Sequence, residues 1–265
     1  MRADLYLVAQ GAAKSRTLAQ KLIQSGSVTL DGRILQKSSE DIPEGEHTLC
    51  VTAIDEMKYV SRGGLKLEAA LDAFAVSVEG LTVADIGAST GGFTHCLITR
   101  GVERVYAVDS GHGQMDPSLA AHPSVRCMEG VNARHLRLED FFVYAPEVLT
   151  AWAGLPPHEQ QAFRLVDGIV MDVSFISQTL IHPALASLIK DGGFFLTLIK
   201  PQFEVGTAGL GKNGVVKSQK YRDLAVDRVV ASARANGFVL QGIMTSPITG
   251  GDGNTEYIGY FLKKN

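Results

Sequence analysis

The sequence predicts an α/β fold: a mostly parallel, seven-stranded sheet wound by helices on both faces, preceded by a small α+β unit. Three observations carry that expectation. From residue 60 onward, short apolar runs alternate with helix-spaced stretches. Two of the runs, "GIVMDV" and "FFLTLI", are apolar at nearly every position, which suits strands covered on both faces. The stretch "VADIGASTGGFTHCL", residues 83–97, reads as a glycine-rich turn between a strand and a helix, where backbone approaches a ligand closely. The expected units are residues 1–59 and 60–265.

In the first unit, "ADLYLVAQ" places Leu5, Leu7 and Val8 at helical spacing, and Gly11 offers a stop. A second helix follows in "SRTLAQKLIQSG". Ser15 is its candidate N-cap, Leu18, Leu22 and Ile23 its apolar face, and Gly26 its end. "SVTLDGRIL" reads as a hairpin around Asp31-Gly32, and "HTLCVTAI" as one more strand. From Met1 to Ser38 the bases Arg2, Lys14, Arg16, Lys21, Arg33 and Lys37 outnumber the acids Asp4 and Asp31. This helix–helix–hairpin order resembles the S4 RNA-binding domain. The resemblance implies an RNA partner, met by Lys14, Arg16, Lys21, Arg33 and Lys37. Such a surface neutralises phosphates and can read irregular RNA shape without base contacts.

Bulk properties narrow the classes. The chain has 265 residues, is 45% hydrophobic and 20% charged, and carries a net charge of −3. That composition predicts a soluble, well-cored protein. No apolar run approaches the roughly 18–20 residues that span a bilayer, and the N-terminus is too polar for a signal peptide. The three cysteines, Cys50, Cys96 and Cys127, are widely spaced, as reduced thiols of a cytoplasmic protein are. The seven histidines form no metal-binding cluster, so no metal is expected.

In the second unit, strands are expected at "LTVADIG", "RVYAVDS", "SVRCMEG", "DGIVMDVSF", "GFFLTLIK", "FVLQGIMTS" and "EYIGYFLKK". Helices are expected over 64–75, 92–100, 178–190 and 218–236. The last two strands are close enough to form a hairpin, which puts one antiparallel strand in the sheet. Seven strands with that ending is the layout of the Rossmann-like methyltransferase fold. The segment 141–164 reads as a helical insertion on the surface or an added contact face.

The glycine loop admits two chemistries. Gly87-Ala88-Ser89-Thr90-Gly91 fits the elbow of a serine hydrolase. However, the loop follows the first strand of its domain, and Ser89, Asp172 and His182 are poorly spaced for a triad. A cofactor loop instead needs an acid about 20 residues on, at the end of the next strand, to hold ribose hydroxyls; Asp109 stands there. The spacing Asp85-x-Gly87-x-x-x-Gly91-Gly92 is wider than a dinucleotide fingerprint and looks like the loop for S-adenosylmethionine. Gly87, Ser89, Gly91 and Gly92 are then expected to wrap the cofactor, Asp85 to help hold its positive methionine end, and Asn132 to meet the adenine edge. His112 is as well suited to bracing its own loop.

"SRGGLKL", "ADIGASTGGFT", "YAVDSGHGQM", "EGVNAR", "DVSFIS", "IKPQFE" and "GKNGVV" together resemble the TlyA/hemolysin A family. The resemblance implies an S4 domain joined to an FtsJ-like, S-adenosylmethionine-dependent methyltransferase domain of the Rossmann-like class I fold. Its implied substrate is a ribose 2′-hydroxyl, of a cytidine in 16S or 23S ribosomal RNA, with ribosomal subunits as partners and no membrane or obligate protein partner. It also implies a Lys-Asp-Lys-Glu tetrad, which falls by motif on Lys66, Asp172, Lys200 and Glu256. A 2′-hydroxyl is a poor nucleophile facing an activated methyl, so the enzyme needs alignment and help with proton loss. Lys200 is expected to be central, with Asp172 and Glu256 orienting it and Lys66 positioning RNA. The rival readings are a membrane-active hemolysin, an RNA-binding protein without catalysis, and a small-molecule methyltransferase.

Overall fold

The computed structural model describes the chain except residues 14, 25, 52–57, 251, 252 and 265 and the side chains of Lys21 and Lys212. It divides into two compact units, Met1–Lys58 and Tyr59–Asn265. Tyr59 falls in the second unit because its ring lies against Gly64, where a Cβ would come within 2.3 Å of it.

The first unit holds α1 (Ala3–Ala9), α2 (Arg16–Gln24), β1 (Val28–Leu30), β2 (Arg33–Ile34) and β3 (Leu49–Val51). The strands form an antiparallel sheet in the order β2-β1-β3. Asp31 and Gly32 both have positive φ, 51° and 80°, as a two-residue hairpin turn of this twist requires. Leu7, Leu22, Ile23, Val28 and Leu35 pack into one core between the helices and the sheet. Residues 52–54 of the expected last strand lie outside the described residues.

In the second unit the chain runs α3 (Gly63–Ala73), β4 (Thr82–Ile86), α4 (Gly92–Thr99), β5 (Arg104–Asp109), α5 (Pro117–Ala120) and β6 (Val125–Glu129). It continues with α6 (Leu138–Phe142), α7 (Pro146–Ala153), α8 (Pro157–Ala162), β7 (Val166–Met171), α9 (His182–Ala186), β8 (Ile189–Ile199) and α10 (Pro201–Glu204). It ends with α11 (Gln219–Ala235), β9 (Phe238–Thr245) and β10 (Tyr257–Lys263). The sheet order is β6-β5-β4-β7-β8-β10-β9, parallel up to β8, with β10 antiparallel to both its neighbours. Alternate residues of the central strands enter two separate cores: Ala84, Ile86, Ile169 and Phe195 one, Val83, Val170, Leu196 and Leu198 the other. That explains their continuous apolar character. Chain order reverses at β4, which pairs with β5 on one side and β7 on the other, so ligands are expected beyond the carboxyl ends of these strands.

The helix expected over 178–190 is corrected. A 3₁₀ turn covers Gln178–Leu180, α9 starts at His182 with Pro183 in its first turn, and β8 starts at Ile189. The backbone of 188–189 is claimed by β7: Leu165 N donates to Leu188 O, and Val166 pairs with Ile189. Segment 141–164 is helical as expected, but it is no mere surface addition. Phe141, Ala145 and Val148 are buried in the core against Tyr106 and its neighbours. Among the described residues no helix is long and apolar enough to cross a membrane.

Gly168 of β7 faces Phe194 of β8, and a Cβ there would lie 2.0 Å from the ring. Gly168→Ala therefore overpacks this strand pair and is expected to cost about 1–3 kcal/mol, seen as a lower urea midpoint at an unchanged m-value.

Candidate active site

The loop between β4 and α4 is built by backbone rather than by side-chain chemistry. Gly87, Ser89 and Gly91 have φ of 82°, 47° and 94°. Gly87 N and Ala88 N both donate to Val108 O, which folds the loop back over β5. Ser89 N donates to Asp109 Oδ2 at 2.8 Å, and Gly111 N to Asp109 Oδ1 at 2.7 Å. Asp109 thus holds the loops after β4 and β5 together while lining the cleft between them. Ser89 Oγ donates to Gln114, Asp172 is paired with Lys200, and His182 is buried against Ser232. His182 is thus bonded to neither Ser89 nor Asp172, and each of these has another partner, which removes the hydrolase reading.

Two cavities meet at this loop. The larger, about 600 Å³, is lined by Gly87, Ser89, Asp109, Asn132, Phe175 and Ile181, among others. The smaller, about 330 Å³, is lined by Lys66, Ser89, Gly92, Asp172, Ser174 and Lys200, among others. Gly87, Ser89, Asp172 and Ser174 belong to both walls. The larger cavity combines apolar walls at Val108, Val131 and Ile181 with polar groups such as Asp109 and Asn132, a lining suited to a nucleoside. Asp109 stands where ribose hydroxyls need an acceptor. Asn132 uses its carboxamide oxygen to cap the 3₁₀ turn at Ala133–His135, accepting from Arg134 N at 3.0 Å, so its NH₂ is the group suited to a base edge. S-adenosylmethionine fits these residues: the nucleoside in the larger cavity, the methionine end under the glycine loop.

Three expected cofactor residues are placed differently. Gly91 lines neither cavity; a Cβ there would lie 2.5 Å from Leu119 and 2.6 Å from Met115, so its role is packing. Gly92 lines the smaller cavity, but its lack of a side chain is demanded by Ser61, whose Oγ would be 2.1 Å from a Cβ. Asp85 is wholly buried beneath the loop and lines neither cavity. His112 likewise packs on Gly130 and braces its own loop.

The tetrad forms two ion pairs. Lys200 Nζ lies 2.6 Å from Asp172 Oδ1 and donates to Ser174 Oγ at 2.8 Å. Lys66 Nζ donates to Glu256 Oε2 at 2.6 Å, with both side chains buried. The expectation that both carboxylates orient Lys200 is corrected to one carboxylate for each lysine. Glu256 opens β10, next to β8, and its carboxyl is turned to α3. Asn254, also buried, secures this end of β10 by accepting from Val216 N and donating to Gly214 O, which ties in the "GKNGVV" turn.

Sequence reasoning missed several contributors. Glu129 accepts from the backbone amides of Gly113, Gln114 and Met115, and these bonds hold its carboxyl below the usual range. It shapes the "GHGQM" loop without touching the cleft. Phe175 is 92% exposed with φ of 64°, and its ring lies 5.3 Å from that of Phe203 at the mouth of the larger cavity. An exposed aromatic in a backbone conformation costing about 1 kcal/mol or more is a functional signal; its exposure and its positive φ, both invisible in sequence, distinguish it from a core residue.

In the first unit, Lys37 is exposed. Arg16 is paired with buried Asp4 at 2.9 Å, an acid that also takes Arg2 and Gln20, and Arg33 is paired with Glu40. Lys14 and the Lys21 side chain lie outside the described residues.

Burial pushes the Asp85 carboxyl up to about 7, against the opposing Thr94 hydrogen bond and with help from the charge of Asp172. Its Oδ2 accepts from Thr94 Oγ1 at 2.6 Å, while Oδ1 has no partner among the described residues. The folded chain holds this proton more tightly than the unfolded chain, whose value is about 3.9. The associated stability is complete below about pH 4 and is lost as pH rises through about 7. Asp85→Asn is expected to flatten that decline in urea unfolding measured from pH 4.5 to pH 8 (about the range between the two values).

Comparison with known proteins agrees with this geometry. Residues 59–263 match the FtsJ-like methyltransferase family and residues 1–47 the S4 domain. The chain is 38% identical to the 16S/23S rRNA (cytidine-2′-O)-methyltransferase TlyA of Mycobacterium tuberculosis, over 97% of this chain and 87% of that protein. It is 35% identical to Hemolysin A of Brachyspira hyodysenteriae, over 99% of this chain and all of that one. A solved Streptococcus thermophilus protein is 37% identical, covers all of this chain and 89% of its own, and superposes with a TM-score of 0.72. A Mesorhizobium loti S-adenosylmethionine-dependent methyltransferase, 14% identical, covers 75% of this chain and 98% of its own at a TM-score of 0.52, which speaks for the fold alone. With its S4 and FtsJ-like domains in this order, the chain belongs to the TlyA/hemolysin A family of methyltransferases.

Proposed function

We propose that this protein transfers the methyl group of S-adenosylmethionine to a ribose 2′-hydroxyl of ribosomal RNA, a cytidine of 16S or 23S rRNA, as its TlyA relatives are named to do. The observation that carries the reading is the pair of lysine–carboxylate contacts beside a nucleoside-shaped cleft, with Asp172 and Ser174 in the wall common to both cavities. When bound, the cofactor supplies an activated methyl group. The chain then has to bring one hydroxyl into line with it and draw off one proton. Lys200 Nζ, fixed by Asp172 and Ser174, steers the 2′-oxygen, and the proton leaves toward the Lys200–Asp172 pair. Lys66, held by Glu256 and lining the same cavity, keeps positive charge beside the incoming phosphodiester.

Phe175 offers a stacking face to the target base once it is turned out of its helix, and the S4 unit supplies affinity for folded RNA through Lys37 and the outward edges of Arg2 and Arg16. Support for the S4 role is the basic excess over Met1–Ser38, and the buried Asp4 that fixes two arginines without consuming all their donors.

Lys200→Ala is expected to retain cofactor binding by calorimetry while losing at least about a hundredfold in transfer of labelled methyl to rRNA; undiminished transfer sinks the assignment. Phe175→Ala is expected to act on KM for RNA by about tenfold or more, the worth of one stacked base, with the cofactor Kd unchanged. Mass-spectrometric mapping of ribose methylation in rRNA from a deletion strain identifies the nucleotide, and an unchanged ribosome overturns the proposal.

A further inference from the structure

The motif "IKPQFE" contributes Lys200 to the site and leaves Glu204 without a role. Glu204 closes α10, is 6% exposed, and burial pushes its carboxyl above the usual range. Its Oε2 accepts from Ser177 Oγ at 2.6 Å and its Oε1 from Gln178 N at 3.0 Å. Both donors sit on the loop that leaves β7 carrying Asp172, Ser174 and Phe175. Gln178, also buried, returns to the other side of Lys200: its Nε2 donates to Leu198 O at 3.2 Å, and its Oε1 accepts from Thr197 Oγ1 at 2.6 Å. From behind, Arg228 Nη1 of α11 donates to the carbonyl of Glu204 at 2.6 Å. The rings of Phe175 and Phe203 meet in front.

A carboxylate withdrawn from water is costly, and an apolar side chain would fill the same space at less expense. What an apolar side chain lacks is two acceptors for the far end of this loop, at Ser177 and Gln178. We propose that Glu204 is a positioning residue for methyl transfer: it clamps the loop 172–178 to the Lys200 segment and so sets both the Lys200–Ser174 contact and the Phe175 ring. The proposal rests on the reading above for the reaction it serves, though not for the geometry it sets.

The test uses the full-length protein. Glu204→Ala is expected to lower kcat for rRNA methylation about a hundredfold, as a misplacement near 1 Å does, with cofactor Kd nearly unchanged. Glu204→Gln can still accept from Gln178 N and bond Ser177 Oγ, so it is expected to restore most of the rate. Ser174→Ala added to Glu204→Ala is expected to cost far less than the product of the two single losses, because both act through Lys200. Independently of RNA, the ¹³C resonance of reductively methylated Lys200, assigned by its loss in Lys200→Arg, is expected to shift in Glu204→Ala and to return in Glu204→Gln. An unshifted resonance with unchanged kcat overturns the proposal, as does a loss that multiplies with Ser174→Ala and follows cofactor Kd. If the wild type methylates no rRNA ribose, the function proposed above fails, and the resonance still decides the role of Glu204.

Discussion

The site depends on how closely β4 and β7 leave the sheet together. Asp172 N donates to Ile86 O at 2.9 Å, continuing the parallel ladder one residue beyond the strands. A Cβ on Gly87 would then lie 2.6 Å from Asp172 O. Gly87 also turns with φ of 82°, a conformation that resists side chains. One glycine therefore sets the spacing between the glycine loop and the strand end that carries Asp172. Widening that spacing separates a methyl donor from its acceptor, and methyl transfer is sensitive to alignment before anything else. Asp109, bonded to Ser89 N and Gly111 N, closes the same arrangement from the side of β5.

Around this frame the charged groups act as geometry more than as stability. The Lys66–Glu256 pair is buried, and the desolvation of both partners offsets much of their attraction. An apolar pair would serve the fold as well. The pair joins α3 to the start of β10, elements 190 residues apart in the chain, and so locates a positive charge at a fixed height on the cavity wall. Lys200 is fixed differently, at a strand end, by Asp172 and the hydroxyl of Ser174.

Legibility in the sequence followed the range of the physics. The central strands of the sheet were readable because burial on both faces leaves a local record, as in "GIVMDV", and the edge strand β9 because its exposed positions alternate. The glycine loop and Asp109 were readable for a similar reason: positive φ and a strand-end acid are signals carried by single residues at short spacing. The helix expected at 178–190 failed because strand pairing with Leu165 and Val166 overrode a local apolar pattern. Partnership was the least legible property. Nothing near Glu256 says that it faces Lys66 rather than Lys200, and nothing near Arg16 or Arg33 says that Asp4 and Glu40 already engage them. Gly91 and Gly92 looked like cofactor contacts, since a glycine demanded by Met115 or Ser61 reads the same as one demanded by a ligand.

The acids at the strand ends also account for the sign of the charge that the site accepts. Asp85 is the last residue but one of β4, Asp109 the last of β5 and Asp172 the residue after β7, three neighbouring strands. The charges of Asp172 and Asp109 both add to the upward push on Asp85, a group that burial already disfavours in its ionised form. These strand ends therefore bring acids close together, and Lys200 is engaged with one of them. A pyrophosphate would meet these ends unfavourably, which is a physical reason for a loop that departs from the dinucleotide pattern. A sulfonium cation relieves them. On the function proposed, methyl transfer would leave a neutral thioether, which such acids would attract less than the donor.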